Sequence, residues 1–210
     1  MVEKAVIVNM TTFAGRKTPY IDQTLDSLFQ SDGRDLPLNL IVGSFGLSGV
    51  EKYRRWANIV AWDWEAQEQT EGFSMRRRCT INAVRAIEFG DDEYCLCCED
   101  DIIFDKTWFN QLMLIVAEIE RKDYVLNLGQ QCNPSPDERY VIHERPNLVG
   151  AQAIFYPSKA VRKAVADYIR HNLTKGTNDH LIGKYARQYS VLYDAIPVLV
   201  EHIGQVSCFH

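Results

Sequence analysis

Residues 94–104 read YCLCCEDDIIF. Tyr94 to Cys98 form a nearly unbroken apolar run of strand length, the pattern of a strand covered on both faces of a sheet. Glu99, Asp100 and Asp101 follow at once, and apolar residues resume at Ile102. In open α/β sheets ligands bind just beyond the carboxyl ends of the strands, where these three carboxylates stand. Clustered carboxylates repel one another and are costly to bury unpaired, and a hard divalent cation with oxygen ligands relieves both penalties. If the segment stays extended, Glu99 and Asp101 share one side and Asp100 takes the other. Taken alone, the triplet reads equally well as a solvated acidic turn.

Outward from this stretch, short apolar runs alternate with amphipathic ones, an α/β pattern. Strands are predicted at 4–9, 38–42, 59–62, 94–98, 125–128, 151–156 and 195–200. Helices are predicted at 20–30, 76–89, 107–121, 158–171 and 178–188, with Ser158 as an N-cap. In the second helix Ile81, Val84 and Ile87 are the expected inner positions. TTFAGRK at 11–17 and GSFGLSG at 43–49 read as loops. Neither a repeat nor a Pro/Gly-rich linker divides the sequence, so one domain over 1–210 is expected.

The chain has 210 residues, 46% hydrophobic and 24% charged, which excludes a disordered chain. Its net charge of −5 gives no global attraction to nucleic acid or anionic lipid. No apolar run approaches the roughly 18 residues of a membrane span, and the N-terminus, with Glu3 and Lys4, does not read as a signal peptide. The six cysteines include one C-x-x-C spacing, Cys95 to Cys98, and it lies inside the apolar run. Cys95, Cys97 and Cys98 sit in the apolar run as small hydrophobes, which fits a reducing, cytoplasmic setting and disfavours a zinc site.

YCLCCEDDIIF resembles the D-x-D region of GT-A fold glycosyltransferases, written here Glu99-Asp100-Asp101, with E-D-D in place of strict D-x-D. More closely, the chain is similar to the N-acetylglucosaminyltransferase IV type. The similarity lies in TTFAGRKTPYIDQTLDSL at 11–28, an Arg-rich helix leading to E-D-D-I at 76–102, and Glu201-His202-Ile203-Gly204 near the end. The resemblance implies a GT-A fold with a mixed central sheet and helices on both faces. It also implies transfer of a sugar from a nucleotide-sugar, UDP-linked, to an acceptor hydroxyl. By the same resemblance Asp101 is the main metal ligand, Glu99 and Asp100 contact ribose or metal-bound water, and His202 completes the metal and diphosphate site. Gly150 lies in the loop beside the donor sugar. Asp179 is the base of an inverting reaction. Arg77, Arg78 and Asn82 contact the nucleotide or diphosphate, and Thr11 and Arg16 the base and ribose. The implied cofactor is Mn²⁺ or Mg²⁺, and an imidazole ligand tilts the choice to Mn²⁺.

Each residue has a plainer reading. Asp179, or Asn178 before it, stands where a helix N-cap is expected. A histidine after a strand, as His202, is commonly structural. Arg76 to Arg78 suit a solvated helix face, or an anion site at a helix N-terminus. Gly150 suits a turn. Trp62 and Trp64 alternate as core strand residues do, and His143 and His180 read as surface or structural. Two other activities fit parts of the sequence. Gly15, Arg16, Lys17 and Pro19 partly match the loop of sugar-phosphate nucleotidyltransferases, without its several glycines. Arg54, Arg55 and Arg76 to Arg78 are the clusters that favour modified DNA over a glycan or small molecule as acceptor. A non-catalytic carbohydrate- or metal-binding module is the remaining class.

Overall fold

The structure, a computed structural model, describes residues 6–12, 20–43, 50–61, 73–129, 138–144 and 148–204. Arg16, Trp62, Trp64 and the Gly15–Pro19 segment lie outside the described residues. The strands are β1 (Val6–Thr12), β2 (Leu38–Val42), β3 (Asn58–Ala61), β4 (Tyr94–Glu99), β5 (Ile102–Phe104), β6 (Tyr124–Asn127), β7 (Tyr140–Ile142), β8 (Ala153–Tyr156), β9 (Val191–Ala195) and β10 (Val200–His202). The helices are α1 (Ile21–Phe29), α2 (Met75–Glu88), α3 (Trp108–Glu118), α4 (Lys159–His171) and α5 (Asn178–Tyr189), with a 3₁₀ turn at Glu51–Arg55.

Eight strands form one sheet in the order β3-β2-β1-β4-β8-β6-β9-β7. Strands β3, β2, β1 and β4 are parallel, whereas β8 is antiparallel to both β4 and β6. β6 and β9 pair in parallel, and β7 closes the edge antiparallel to β9. The expected mixed sheet with helices on both faces is thus the observed architecture. Alternation along β4 supplies both cores: Tyr94, Leu96 and Cys98 join α1 and α3 on one face, while Cys95 and Cys97 join α2, α4 and α5 on the other. This double burial is why the run carries no polar residue until its end.

The last predicted strand, 195–200, is corrected. Chain pairing ends at Ala195 and resumes at Val200. Pro197 between them has no N–H to contribute to a ladder. β5 and β7, three residues each, are too short to show a period in the sequence. Ser158 caps α4, its Oγ accepting the Val161 N–H at 3.2 Å, and Ser74 caps α2 in the same way.

Helix α2 is held in place at its C-terminal end, where the last carbonyls of a helix lack partners. Asn9 Nδ2, from the middle of β1, donates to the carbonyls of Ala86 at 2.8 Å and Phe89 at 2.9 Å. The guanidinium of Arg162, 1% exposed, donates to the carbonyls of Ile87, Phe89, Gly90 and Asp92. Removing it strands several buried acceptors together. Arg162→Leu is expected to lower the unfolding free energy by about 3 kcal/mol in urea denaturation.

Candidate active site

The parallel strands β1, β2 and β4 end side by side, and the chain leaves β1 and β4 in opposite directions. That is the switch point where an open α/β sheet forms a crevice. A cleft of about 380 Å³ lies there, within the range of small-molecule sites. Thr11, Thr12, Gly43, Cys98 and Glu99 supply the strand ends. One wall is α2, through Cys79, Asn82, Ala83, Ala86 and Ile87, a helical stripe at i, i+3, i+4, i+7 and i+8. The opposite wall is Gly150 to Gln152 and the start of α5, Thr177 to Asp179.

The acidic segment does not stay extended. β4 ends at Glu99, the chain bends at Asp100 and Asp101, and β5 begins at Ile102. The bend is tied to two threonines. The Thr12 hydroxyl donates to Asp100 Oδ2 at 2.6 Å. The Thr24 hydroxyl donates to the Asp100 carbonyl at 2.9 Å and accepts the Ile102 N–H at 3.1 Å. All three carboxylate residues border the cleft as a result, rather than alternating about a strand.

The tail returns to this bend through a two-stranded ribbon. β10 runs antiparallel to β5, pairing His202 with Ile102 and Val200 with Phe104, and the Ile203 N–H donates to the Asp101 carbonyl at 2.9 Å. This register brings His202 Nε2 to 3.3 Å from Asp101 Oδ2, with the Asp101 residue 5% exposed and the His202 side chain 44% exposed. The separation matches two adjacent ligands of one cation at bond lengths of about 2.1–2.2 Å. Gly204 leaves the space open: a Cβ there would stand 2.2 Å from Asp101 Oδ2 and 2.6 Å from His202 Nε2. Among the described residues no three His, Cys, Asp or Glu side chains cluster as a complete metal cage. The donor set therefore fits a divalent cation that takes its other ligands from a bound phosphate or water.

Asp179 faces the same cleft from the first turn of α5. It is not the N-cap, a position held by Thr177. Its Oδ2 accepts the Gly150 N–H at 3.0 Å, and its Oδ1 accepts the His180 N–H at 2.8 Å and the Thr177 hydroxyl. A carboxylate has about four lone-pair positions, so one acceptor position remains on Oδ2. Gly150 has φ +77°, the left-handed region, and a Cβ there would fall 2.0 Å from Gln152 Nε2. Asp179 thus fixes a loop that only glycine fits comfortably.

Thr11, Arg78, Asn82, Glu99, Asp100, Asp101, Gly150, Asp179 and His202 all border the cleft. Arg77 does not. It lies about 160° round α2 from Cys79, close to the face opposite the cleft stripe, with its guanidinium 5.1 Å from the Phe73 ring centroid. Arg76 and Arg78 border the cleft in its place. Arg16 lies outside the described residues. Asn82 Nδ2 donates to the Ile41 carbonyl at 3.3 Å, which leaves its buried Oδ1 as an acceptor without a partner. Sequence reasoning missed Thr12, Thr24 and Gln152, whose contribution depends on long-range contacts that no local pattern signals. Cys97 and Cys98 border the cleft, but burial pushes both thiols well up, so neither is a ready nucleophile or metal ligand. His143 is buried, its Nδ1 2.7 Å from Asp194 Oδ2, consistent with a structural role.

No protein-family profile matches the chain, and no curated protein matches it in sequence. Solved structures do match. The chain is similar in fold to S. aureus TarS, a glycosyltransferase. The superposition has a TM-score of 0.52 at 16% identity and covers 91% of this chain and 36% of TarS. The two share their fold over most of this chain, and the chain spans about a third of the neighbour's length. No helix among the described residues is long and apolar enough to cross a membrane.

Gly204→Ala places a methyl group between Asp101 and His202. It is expected to force the Asp101 and His202 side chains apart and to weaken any Mn²⁺ binding at this pair at least tenfold, measured by calorimetry.

Proposed function

We propose that this chain is a divalent-cation-dependent glycosyltransferase that moves a sugar from a UDP-linked donor to an acceptor hydroxyl with inversion. The observation that carries this reading is the Asp101–His202 pair, held 3.3 Å apart at the crevice of a sheet whose fold is shared with a glycosyltransferase. An acidic turn from mid-chain and an imidazole 101 residues later meet where a nucleotide's diphosphate would lie.

Asp101 and His202 are the residues that would hold Mn²⁺ or Mg²⁺ beside the donor's diphosphate. When bound, the cation neutralises charge that builds on the leaving group. Arg76 and Arg78, at the first turn of α2, add positive charge beside the phosphates. Glu99 faces ribose hydroxyls. Asn82 Oδ1, a buried acceptor, would repel a phosphate, so it takes an N–H or O–H of the nucleoside instead. Thr11 lies at the same strand-end rim of the cleft.

Asp179 serves as the base. The acceptor oxygen forms a bond to the anomeric carbon as the bond from that carbon to the diphosphate oxygen breaks. Its proton passes to the remaining lone pair of Asp179 Oδ2, and the electron pair of the broken bond leaves with UDP. The three hydrogen bonds already made by Asp179 fix its direction, so it meets the acceptor without reorganising.

Donor hydrolysis and transfer are expected to require Mn²⁺ and to stop with EDTA. Asp101→Asn should abolish metal-dependent UDP binding while the fold is retained by circular dichroism. Asp179→Asn should keep UDP affinity within about twofold and lower turnover by at least a hundredfold, in the range of general base contributions. Normal turnover in Asp179→Asn would remove it from the mechanism.

A further inference from the structure

The ribbon of β5 and β10 has a second edge, and α1 occupies it. The Ile203 N–H reaches the Asp101 carbonyl at 2.9 Å, and the Asp105 N–H reaches the Leu199 carbonyl at 3.0 Å. Odd-numbered residues along β5 therefore turn their main chain toward β10, and even-numbered ones turn it away. Among the described residues β10 is the only strand that pairs with β5. The outward groups lie in the core, with Ile102 and Phe104 both buried, and need partners of another kind.

Two hydroxyls one helical turn apart take the place of the missing strand. Thr24 Oγ1 accepts the Ile102 N–H at 3.1 Å and donates to the Asp100 carbonyl at 2.9 Å. Ser27 Oγ accepts the Phe104 N–H at 3.0 Å and donates to the Thr24 carbonyl at 2.8 Å. Each hydroxyl is oriented by the bond it donates, which leaves its lone pairs turned to β5. The helix that presents them is itself anchored. Ile21, Leu25 and Leu28 are in the core, and Asp22 Oδ1 accepts the Tyr53 hydroxyl at 2.6 Å. Thr24 is fully buried, beyond the reach of solvent.

We propose that Thr24 is a positioning residue of the site, and that with Ser27 it locks the register of β5 and so sets Asp101 beside His202. The consequence for catalysis rests on the cation-holding reading of that pair given above. A two-stranded ribbon of three-residue strands is marginal by itself. Only in the observed register do residues 102 and 104 offer their N–H groups to α1. A slip of one residue would offer odd-numbered groups instead and would turn the Asp101 side chain away from His202. Neither Thr24 nor Ser27 borders the cleft, so both act on Asp101 through the main chain of β5.

Two measurements test this in Thr24→Val, Thr24→Ser and Ser27→Ala: amide hydrogen exchange by NMR on the ligand-free protein, and Mn²⁺ affinity in the presence of UDP. Valine keeps the shape of threonine and loses both bonds, whereas serine keeps both. Thr24→Val is expected to speed exchange at Ile102 and Ile203 about tenfold more than at Leu96 and Leu126, whose amides report global opening. It is also expected to weaken Mn²⁺ binding roughly tenfold, in proportion to the local opening. Thr24→Ser is expected to stay within about twofold of the wild type in both. The register lock is overturned if Thr24→Val leaves Ile203 level with Leu96 and Leu126, if Thr24→Ser fails to restore the wild-type pattern, or if Mn²⁺ bound by the wild type binds Thr24→Val equally well. Should Thr24→Val not fold, Ser27→Ala reads the same edge: excess exchange at Ile203 supports the lock, and its absence overturns it. The expected exchange pattern with no Mn²⁺ bound by any of the proteins supports the lock and counts against the cation reading instead.

Discussion

The site depends on one short pairing, the ribbon between β5 and β10. Residues 101 and 202 are 101 positions apart, and neither belongs to the main sheet. The ribbon's register, ending in the bond from the Ile203 N–H to the Asp101 carbonyl, decides whether an imidazole stands beside a carboxylate or away from it. Side chains alternate along a strand, so a slip of one residue would turn His202 out and bring Glu201 in. The same register therefore assigns His202 to the Asp101 contact.

Around that ribbon the structure fixes what might otherwise drift. Thr24 bridges the bend on both sides, accepting from Ile102 and donating to Asp100. Leu199, just before β10, donates to the Leu128 carbonyl at 3.0 Å and accepts the Asp105 N–H at 3.0 Å, which anchors the ribbon to the end of β6. Asn9 and Arg162 hold the far end of α2, and Asp179 holds the Gly150 loop. Each device satisfies buried polar groups that would otherwise be costly, and each aims a wall of the cleft. Geometry of this kind is prepared before any ligand arrives, the condition under which charged groups contribute most to catalysis.

The sequence revealed these features unequally. The buried run of β4, and the carboxylates at its end, are visible because a strand covered on both faces must be apolar throughout. The cap of α4 is visible as Ser158 ahead of a helical pattern, whereas the Ser74 cap of α2 emerges only in the structure. The bend at Asp100–Asp101 is not visible, because Thr12 and Thr24 act on it from 88 and 76 residues away. The strand placed at 195–200 fails because Pro197 interrupts an apolar stretch that otherwise reads as continuous. Choosing Arg77 over Arg76 fails because three consecutive arginines give no phase, and the phase of α2 is set by packing. Asp179 stands where a cap is expected, but its carboxylate is spent on the Gly150 loop, a contact across 29 residues.

The most direct measurement is anomalous diffraction at the manganese edge from crystals soaked in MnCl₂ and UDP. This account predicts a single strong peak within about 2.3 Å of both Asp101 Oδ2 and His202 Nε2, with the diphosphate of UDP completing the coordination. A peak elsewhere, or UDP bound with residues 101 and 202 in direct contact and no metal between them, would contradict it.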